Sequence, residues 1–520
     1  GRAATRPPPL YNAPVIARVH SFVLQGIDAI ACEIEADLSP VGLPKTTLVG
    51  LPDTAVKESM ERVRTALLNS GFRFPQTRLT INLAPADVRK EGPVYDLPIA
   101  LALLAADGTI EPGAARERAD GYLVAGELAL DGRVRFVKGG ISLAMLAHRL
   151  GKQGVIVAKD NAGEAAAVEG IDVIGVSTLG EVVQFLNGTL AIRPHPPVDA
   201  DTLLAEAKPE VDFGDIRGQE AAKRAMTVAA AGAHNMLMIG PAGTGKTMMA
   251  KALPGILPPL TREEALEVTR IYSSVGQIPR DQPLMLMRPV RTPHHTASSP
   301  AIIGGGSIPR AGDVSLAHRG VLFLDEMPEF SRAVLETLRQ PLEDGYVTVA
   351  RAHGSVRFPA RFMLVGAMNP TPKGHAAIDD VSRRAMDRYL SRISAPLIDR
   401  VDIHVEVPAV SYKQLTSASG GTDSATIRRR VLEAREIQRT RQGARPNAEL
   451  SGKALNRHAR LDDAAQTLLG QAMTELGLSA RAYDKIRRVA RTIADLEGDA
   501  PVQAHHVGEA VQYRLLDRSV

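Results

Sequence analysis

Apolar residues fall into patterns that change along this chain. In the first third, short β-type runs (residues 79–83, 122–125 and 154–158) alternate with longer stretches of helical spacing (53–69 and 141–150). Asp53 stands at the head of the first such stretch as an N-cap, where a carboxylate can accept an orphan backbone N–H. Residues 97–106 are apolar almost throughout, the pattern of a buried helix, with Pro98 tolerated in its first turn. From about 213 to 408, short apolar runs alternate with helical patterns, which predicts an α/β domain with a mostly parallel sheet. Beyond 426 only helical patterns remain, over 427–442, 461–476, 482–496 and 502–516, separated by Gly477, Gly498-Asp499 and Pro501. The Pro-rich stretch around 193–197 and the Gly/Ser/Thr-rich stretch 417–424 break both patterns. The expected organisation is therefore a tail (1–14), a first α/β block (15–188), a linker (189–212), an α/β core (213–410), a second linker (411–426) and a helical lid (427–520).

Composition narrows the functional classes. With 44% hydrophobic and 23% charged residues the chain is ordinary globular protein. The longest strongly apolar run, 99–106, is far below the roughly 20 residues that span a bilayer, so no membrane association is expected. Residues 1–14 carry Arg2, Arg6 and a proline run without an apolar signal core, so secretion is not expected. One cysteine, Cys32, excludes an intrachain disulfide framework and a Cys-rich zinc site, and fits a cytoplasmic compartment. The net charge of +4 is compatible with nucleic acid but does not argue for it.

The chemistry concentrates in the second block. An apolar run, 235–239, leads into Gly240-Pro241-Ala242-Gly243-Thr244-Gly245-Lys246-Thr247, followed by a helical run. This is a phosphate-binding loop in its required strand–loop–helix context. Gly243 and Gly245 permit backbone conformations in which several N–H groups converge on phosphate oxygens. Lys246 can reach the outer phosphates of ATP, and Thr247 can ligate Mg²⁺. Gly320-Val321-Leu322-Phe323-Leu324-Asp325-Glu326 reads as a buried strand ending in two acids, with Asp325 suited to the Mg²⁺ shell and Glu326 to polarising the attacking water. A third strand, 362–368, ends in Asn369, an amide that can orient water or sense phosphate. Arg400 is suited to phosphate charge in trans, from a neighbouring subunit. Arg481 follows a second N-cap, Ser479, and could reach the nucleotide from above; for either arginine a surface salt bridge is the plainer alternative.

Two features could meet nucleic acid. Residues 346–350 and 355–358 predict a hairpin carrying Arg351, His353 and Arg357, either candidate DNA contacts or a solvated tip. Residues 427–445 hold seven arginines and two glutamates, a run that is more often a solvated helix face but could track a DNA backbone.

In order, these motifs resemble the AAA+ ATPases of the magnesium-chelatase-like branch. The match narrows through Arg291-Thr292-Pro293-His294-His295-Thr296, Ile303-Gly304-Gly305-Gly306-Ser307-Ile308-Pro309-Arg310, Ser315-Leu316-Ala317-His318-Arg319-Gly320 and Asp325-Glu326-Met327-Pro328-Glu329-Phe330, which resemble the ComM (YifB) family. Val49-Gly50-Leu51-Pro52-Asp53, Asn82-Leu83-Ala84-Pro85-Ala86-Asp87 and Asp96-Leu97-Pro98-Ile99-Ala100 resemble that family's Lon-protease-like first domain, of ribosomal S5-like α/β fold. The resemblance implies a homo-hexameric, ATP- and Mg²⁺-dependent DNA helicase that drives branch migration during natural transformation, acting on branched or single-stranded DNA. It also implies that Asn369 is the first sensor, Arg400 the arginine finger and Arg481 the second sensor. Alternatives are a magnesium-chelatase-like metal-insertion subunit and a regulatory ATP-binding scaffold.

The pattern departs from the family twice. Where a Lon-type protease would place its serine the chain reads Gly92-Pro93-Val94-Tyr95-Asp96, and Lys138 lies on the wrong side of Gly139-Gly140, so no protease activity is expected. Relatives commonly carry a four-cysteine zinc loop after the first sensor; here Asn369-Pro370-Thr371-Pro372-Lys373-Gly374 and Asp379-Asp380-Val381 carry no thiol, and His375 alone cannot complete a tetrahedral site, so zinc is not expected there.

Overall fold

The computed structural model describes residues 16–39, 43–279, 282–306, 309–351, 354–370, 393–410, 421–514 and 516. The chain divides into two compact units. One comprises Gly1–Ala200 with Thr269–Met285, the other Asp201–Val268 with Leu286–Val520.

In the first unit, β1 (Ile16–Gln25) and β2 (Asp28–Ser39) form an antiparallel hairpin whose turn uses Gly26 at positive φ. β3 (Lys45–Val49) leads to α1 (Thr54–Asn69), which is capped as expected: Asp53 Oδ1 accepts the Val56 N–H at 2.7 Å. β4 (Arg78–Ala84) pairs antiparallel to β2 and parallel to β3, giving the sheet order β1-β2-β4-β3. α2 (Asp96–Ala106) is buried along its whole length, which is why its sequence lacks a polar face. Its buried first residue, Asp96, is held by Arg62 Nε at 2.8 Å. A second, parallel sheet contains β5 (Tyr122–Val124), β6 (Gly154–Ala158) and β7 (Asp172–Val176), with α3 (Gly140–Arg149) between its first two strands in sequence.

The second unit begins its core with α4 (Glu220–Gly232), β8 (Met236–Ile239) and α5 (Lys246–Ala252). α6 (Arg262–Val275) starts in this unit and, from Thr269, belongs to the first; the chain returns through β9 (Val290–Arg291) and β10 (Val321–Leu324). The hairpin β11 (Tyr346–Arg351) and β12 (Gly354–Pro359) precedes β13 (Met363–Met368) and β14 (Ile403–Glu406). Strands β9-β10-β13-β8-β14 form one five-stranded, all-parallel sheet in that order. Parallel strands are buried on both faces, and β8, β10 and β13 are apolar and buried at every position.

The C-terminal part of this unit includes the helices α7 (Ser424–Gln442), α8 (Asp463–Glu475), α9 (Ala480–Glu497) and α10 (Ala504–Gln512). Asp423, Asp462 and Ser479 cap the first three. Val431, Leu469, Ile486, Ile493 and Val507 share one core with Met236, Val365 and Ile403 of the sheet. A buried polar network pins the helices in register. His234 Nε2 lies 2.8 Å from Thr492 Oγ1 and its Nδ1 3.2 Å from Asp402, while Asn447 bonds Thr492 and Asp495.

This network fixes where the helices dock. His234 and Asp402 stand just before β8 and β14, and Lys485 Nζ and Arg514 donate to the Val401 carbonyl at 3.1 and 2.9 Å. The helices therefore sit at the strand-start edge of the sheet, the edge away from the 240–247 loop, and do not form a lid over that loop in the same chain. The arginine-rich stretch is committed to this docking: Arg428 donates to Gly255 O, Arg435 to Ala230 O, and Arg441 to Asp495. Burial pulls Arg435 down to about 10, as a cation spent on an internal carbonyl would show. These three arginines are not a DNA track.

Candidate active site

Parallel strands aim their C-terminal ends at one edge of a sheet, and loops leaving that edge build ligand sites. β8 delivers residues 240–247 to this edge. Gly243 and Gly245 adopt φ +78° and +87°, and an added Cβ at either would meet nothing within 4 Å, so their lack of a side chain serves the backbone turn. Gly240 answers a different need: a Cβ there would overlap the Val407 backbone just past β14. Gln219 Nε2 ties the loop to the same segment, donating to Pro408 O at 2.7 Å and to Thr244 O at 3.4 Å.

Lys246 Nζ donates to the Gly240 and Pro241 carbonyls, each at 2.7 Å. Burial lowers its proton affinity, with Asp325 and Glu326 opposing. Thr247 Oγ1 donates to Asp325 Oδ2 at 2.9 Å across 78 residues of sequence, so the loop and the acidic strand β10 meet in one place. Asp325 Oδ1 in turn accepts the Glu326 N–H at 3.0 Å. Glu326 has φ +49°, ψ +46°, a left-handed conformation that is costly for a residue with a side chain. Asn369 follows β13, the strand between β8 and β10, and Gly240 N donates to Met368 O at 3.1 Å. The structure thus gathers the 240–247 loop, Asp325, Glu326 and Asn369 at one edge.

Two expected participants lie elsewhere. Asn235, just before β8, donates to the Arg400 carbonyl at 2.9 Å, and Arg400 pairs with Glu343. At about 3.3 Å per strand residue, this places Arg400's backbone roughly 16 Å from Gly240 along β8. Arg481 pairs with Asp399 at that same strand-start edge. The expectation that Arg481 reaches over its own chain's loop is therefore corrected, because α9 docks at the opposite edge.

In the hairpin, Arg357 stacks over the Tyr346 ring at 4.7 Å, which ties its guanidinium to the hairpin's base. The side chain of Arg351, His353 and residues 371–392, which include His375, lie outside the described residues.

Sequence reasoning left several side chains without a role. His318 and Arg319 fasten α6 to the start of β10: His318 Nε2 lies 3.2 Å and Arg319 Nε 3.0 Å from Glu267. Hydrogen bonding from His318, opposed by burial and aided by Arg319, holds Glu267 down to about 2. His295 Nδ1 stands 3.7 Å from Glu326 Oε2, a neighbour that only the fold reveals. Glu497, Asp499, His505 and His506 form a cluster of metal-ligand type at the start of α10. There His506 Nδ1 accepts the Gln503 N–H at 2.9 Å, so its hydrogen sits on Nε2 and points to Glu497 at 3.1 Å; the cluster works as a hydrogen-bonded cap.

Comparison with known proteins agrees with this architecture along the chain. The family model described as Magnesium chelatase, subunit ChlI matches residues 212–415, that for Subunit ChlI of Mg-chelatase matches 34–161, and that for Magnesium chelatase, subunit ChlI C-terminal matches 421–514. Competence protein ComM of Haemophilus influenzae is 45% identical over 507 residues, covering 97% of this chain and 98% of that one. YifB of Salmonella typhimurium is 44% identical over 506 residues, with 97% and 98% covered. The Magnesium-chelatase 38 kDa subunit of Rhodobacter capsulatus is 27% identical over 340 residues, 60% of this chain and 89% of that one.

Proposed function

This chain belongs to the ComM/YifB family of magnesium-chelatase-like AAA+ proteins, and from that membership we propose that it is an ATP-hydrolysing, ring-forming DNA motor of the branch-migration type. The observation that carries the ATPase reading is the meeting of Lys246, Thr247, Asp325 and Glu326 at one sheet edge, beside a loop that Gly243 and Gly245 turn through left-handed backbone.

The residues fit Mg–ATP. Backbone N–H groups of 243–247 and the Lys246 ammonium would hold the phosphates, replacing the two carbonyls that Lys246 now contacts. Thr247 Oγ1 and Asp325 would hold Mg²⁺, which when bound neutralises charge on the outer phosphates. Glu326 accepts the proton of the attacking water, and Asn369 orients that water from the neighbouring strand. Arg400 and Arg481 stand at the strand-start edge, paired with Glu343 and Asp399; exchanging those partners for the nucleotide of an adjacent subunit would make hydrolysis depend on the assembled ring.

We read the first unit as a Lon-like fold that serves DNA binding or ring building. Ser142 is buried and its hydroxyl donates to Ile27 O at 2.8 Å, so it is spent on structure. A metal-insertion ATPase is the second reading, favoured by the chelatase descriptions of all three matching families; the likeness to the chelatase subunit covers 60% of the chain, that to ComM 97%. Titration of the ATPase with forked DNA, with duplex and with a porphyrin plus chelatase partner separates the two. Stimulation by forked DNA at low salt is expected; stimulation by the porphyrin partner alone would replace the motor reading.

A further inference from the structure

We propose that a cationic surface on the C-terminal helical part, made by Arg445, Lys453, Arg457 and Arg460, holds the phosphate backbone of DNA; this rests on the reading of the chain as a DNA motor. The cations of this region divide by what they touch. Arg428, Arg435 and Arg441 are spent on internal partners. Arg439, on the solvent side of α7, pairs with Glu436 at 2.8 Å. Residues 445–460 then hold the four cations of the proposed surface and a single acid, Glu449. All four are exposed, and none makes an ion pair among the described residues.

The fold does not need these charges. The short helix Gly452–His458 buries Leu455 in a small core with Leu450 and Ala459. Lys453 and Arg457, each two residues from Leu455, therefore face outward one turn apart, where like charges repel and weaken a helix. A cation can serve a helix by meeting its last carbonyls, but Arg487 of α9 already does so. Arg487 is buried and donates to the Ala459 carbonyl at 3.2 Å and to Asn456 Oδ1 at 2.8 Å. Arg488 donates to the Ala448 carbonyl at 3.2 Å, so the backbone beneath the surface is fixed from within.

The neighbouring acids are engaged elsewhere. Asp462 caps α8, Asp495 binds Arg441 and Arg491, and Glu449 offsets the charge of buried Arg435. The field that remains is positive: burial, then the charges of Arg441 and Arg457, lower the proton affinity of His458. Exposed guanidinium and ammonium groups on a rigid base suit phosphate oxygens. Residues 443–460 contain no Phe, Tyr or Trp, so base stacking plays no part and the contact reads no sequence, as a motor acting on any DNA requires. α9 carries this surface and docks at the strand-start edge, so the surface can be altered without touching the 240–247 loop.

The test uses the full-length chain and fluorescently labelled forked DNA. Affinity is measured by anisotropy over a range of salt for wild type, Arg457→Gln, Arg439→Gln and a triple variant, Lys453→Gln with Arg457→Gln and Arg460→Gln. Each phosphate contact contributes about 0.9 to the slope of log affinity against log salt. Arg457→Gln should lower the slope by about 1 and the triple variant by about 2–3, with affinity in about 0.1 M salt reduced at least about tenfold. Arg439→Gln removes the same charge from a paired site and should leave the slope within about 0.3 of wild type. DNA-free ATP hydrolysis and the melting temperature should match wild type in every variant. A triple variant with the wild-type slope, or an Arg439→Gln slope that falls as far as that of Arg457→Gln, overturns the surface and leaves the motor reading standing. Failure of wild type to bind forked DNA at low salt overturns both.

Discussion

Two glycines of the phosphate-binding loop look equivalent in sequence, and the structure separates them. At Gly240 an added methyl group would stand 3.0 Å from the Val407 carbonyl carbon and 3.1 Å from its Cβ, and closer still to the carbonyl oxygen. The obstacle is backbone beside Pro408, whose carbonyl accepts from Gln219, the side chain that also donates to the loop at Thr244, so a shift there is passed to the loop. Restoring ordinary contact needs a displacement of about 1 Å, and misplacement on that scale costs about a hundredfold in a positioned reaction. At Gly243 the same methyl meets nothing within 4 Å, and its cost is the left-handed backbone, about 1–2 kcal/mol, paid in the free and bound states alike. Gly240→Ala should therefore lose ATP turnover, as kcat/KM, about a hundredfold, whereas Gly243→Ala should turn over within about threefold of wild type and melt a few degrees lower. Steady-state ATPase assays and thermal melting of both variants check this. Equal losses of turnover, or a Gly240→Ala variant that turns over like wild type, would show that the Val407 backbone does not set the loop.

Further consequences follow from the same geometry. Lys246→Ala and Arg400→Ala, each inactive alone, should regain part of the wild-type ATPase rate when mixed, because each supplies the half that the other lacks; a mixture no more active than its parts would refute use of Arg400 in trans. Acid should weaken the junction of α6 and β10. Glu267 is held at about 2 when folded, so its contribution is full above its unfolded value of about 4.3 and is lost as pH falls toward 2. Burial likewise lowers His318, whose contribution fades as pH drops below about 6.5. Glu267 is 44% exposed, which limits its share to about 1 kcal/mol or less. The melting gap between wild type and Glu267→Gln should hold from pH 7 to about pH 5 and narrow from there toward about pH 2.5; a constant gap over that lower range would contradict the pairing.

What was legible in sequence was local. The parallel strands announced themselves as uniform apolar runs, and the caps Asp53 and Ser479 stand where spacing put them. The loop at 240–247 and the acids at 325–326 could be read because each motif carries its own strand. α6 went unassigned because its stripe is interrupted by Thr269, Ser273 and Arg270. Of these, Ser273 is buried and donates to Glu164 at 2.6 Å, a partner 109 residues away that periodicity cannot foresee. The helical pattern after 426 revealed an apolar face but not which edge of the sheet it covers. That choice rests on His234 meeting Thr492 across 258 residues, and it carries Arg481 away from its own loop. The pairing of His295 with Glu326 was hidden for the same reason: strand order, not sequence distance, makes them neighbours.

If one sheet edge, carrying Lys246, Thr247, Asp325 and Glu326, binds and hydrolyses ATP, a single-turnover experiment with radiolabelled ATP and Mg²⁺ should separate wild type from Glu326→Gln. Wild type should release phosphate, while Glu326→Gln should retain ATP with affinity near wild type and release phosphate at least about a hundredfold more slowly, the scale of a lost general base. Equal phosphate release by the two proteins would contradict it.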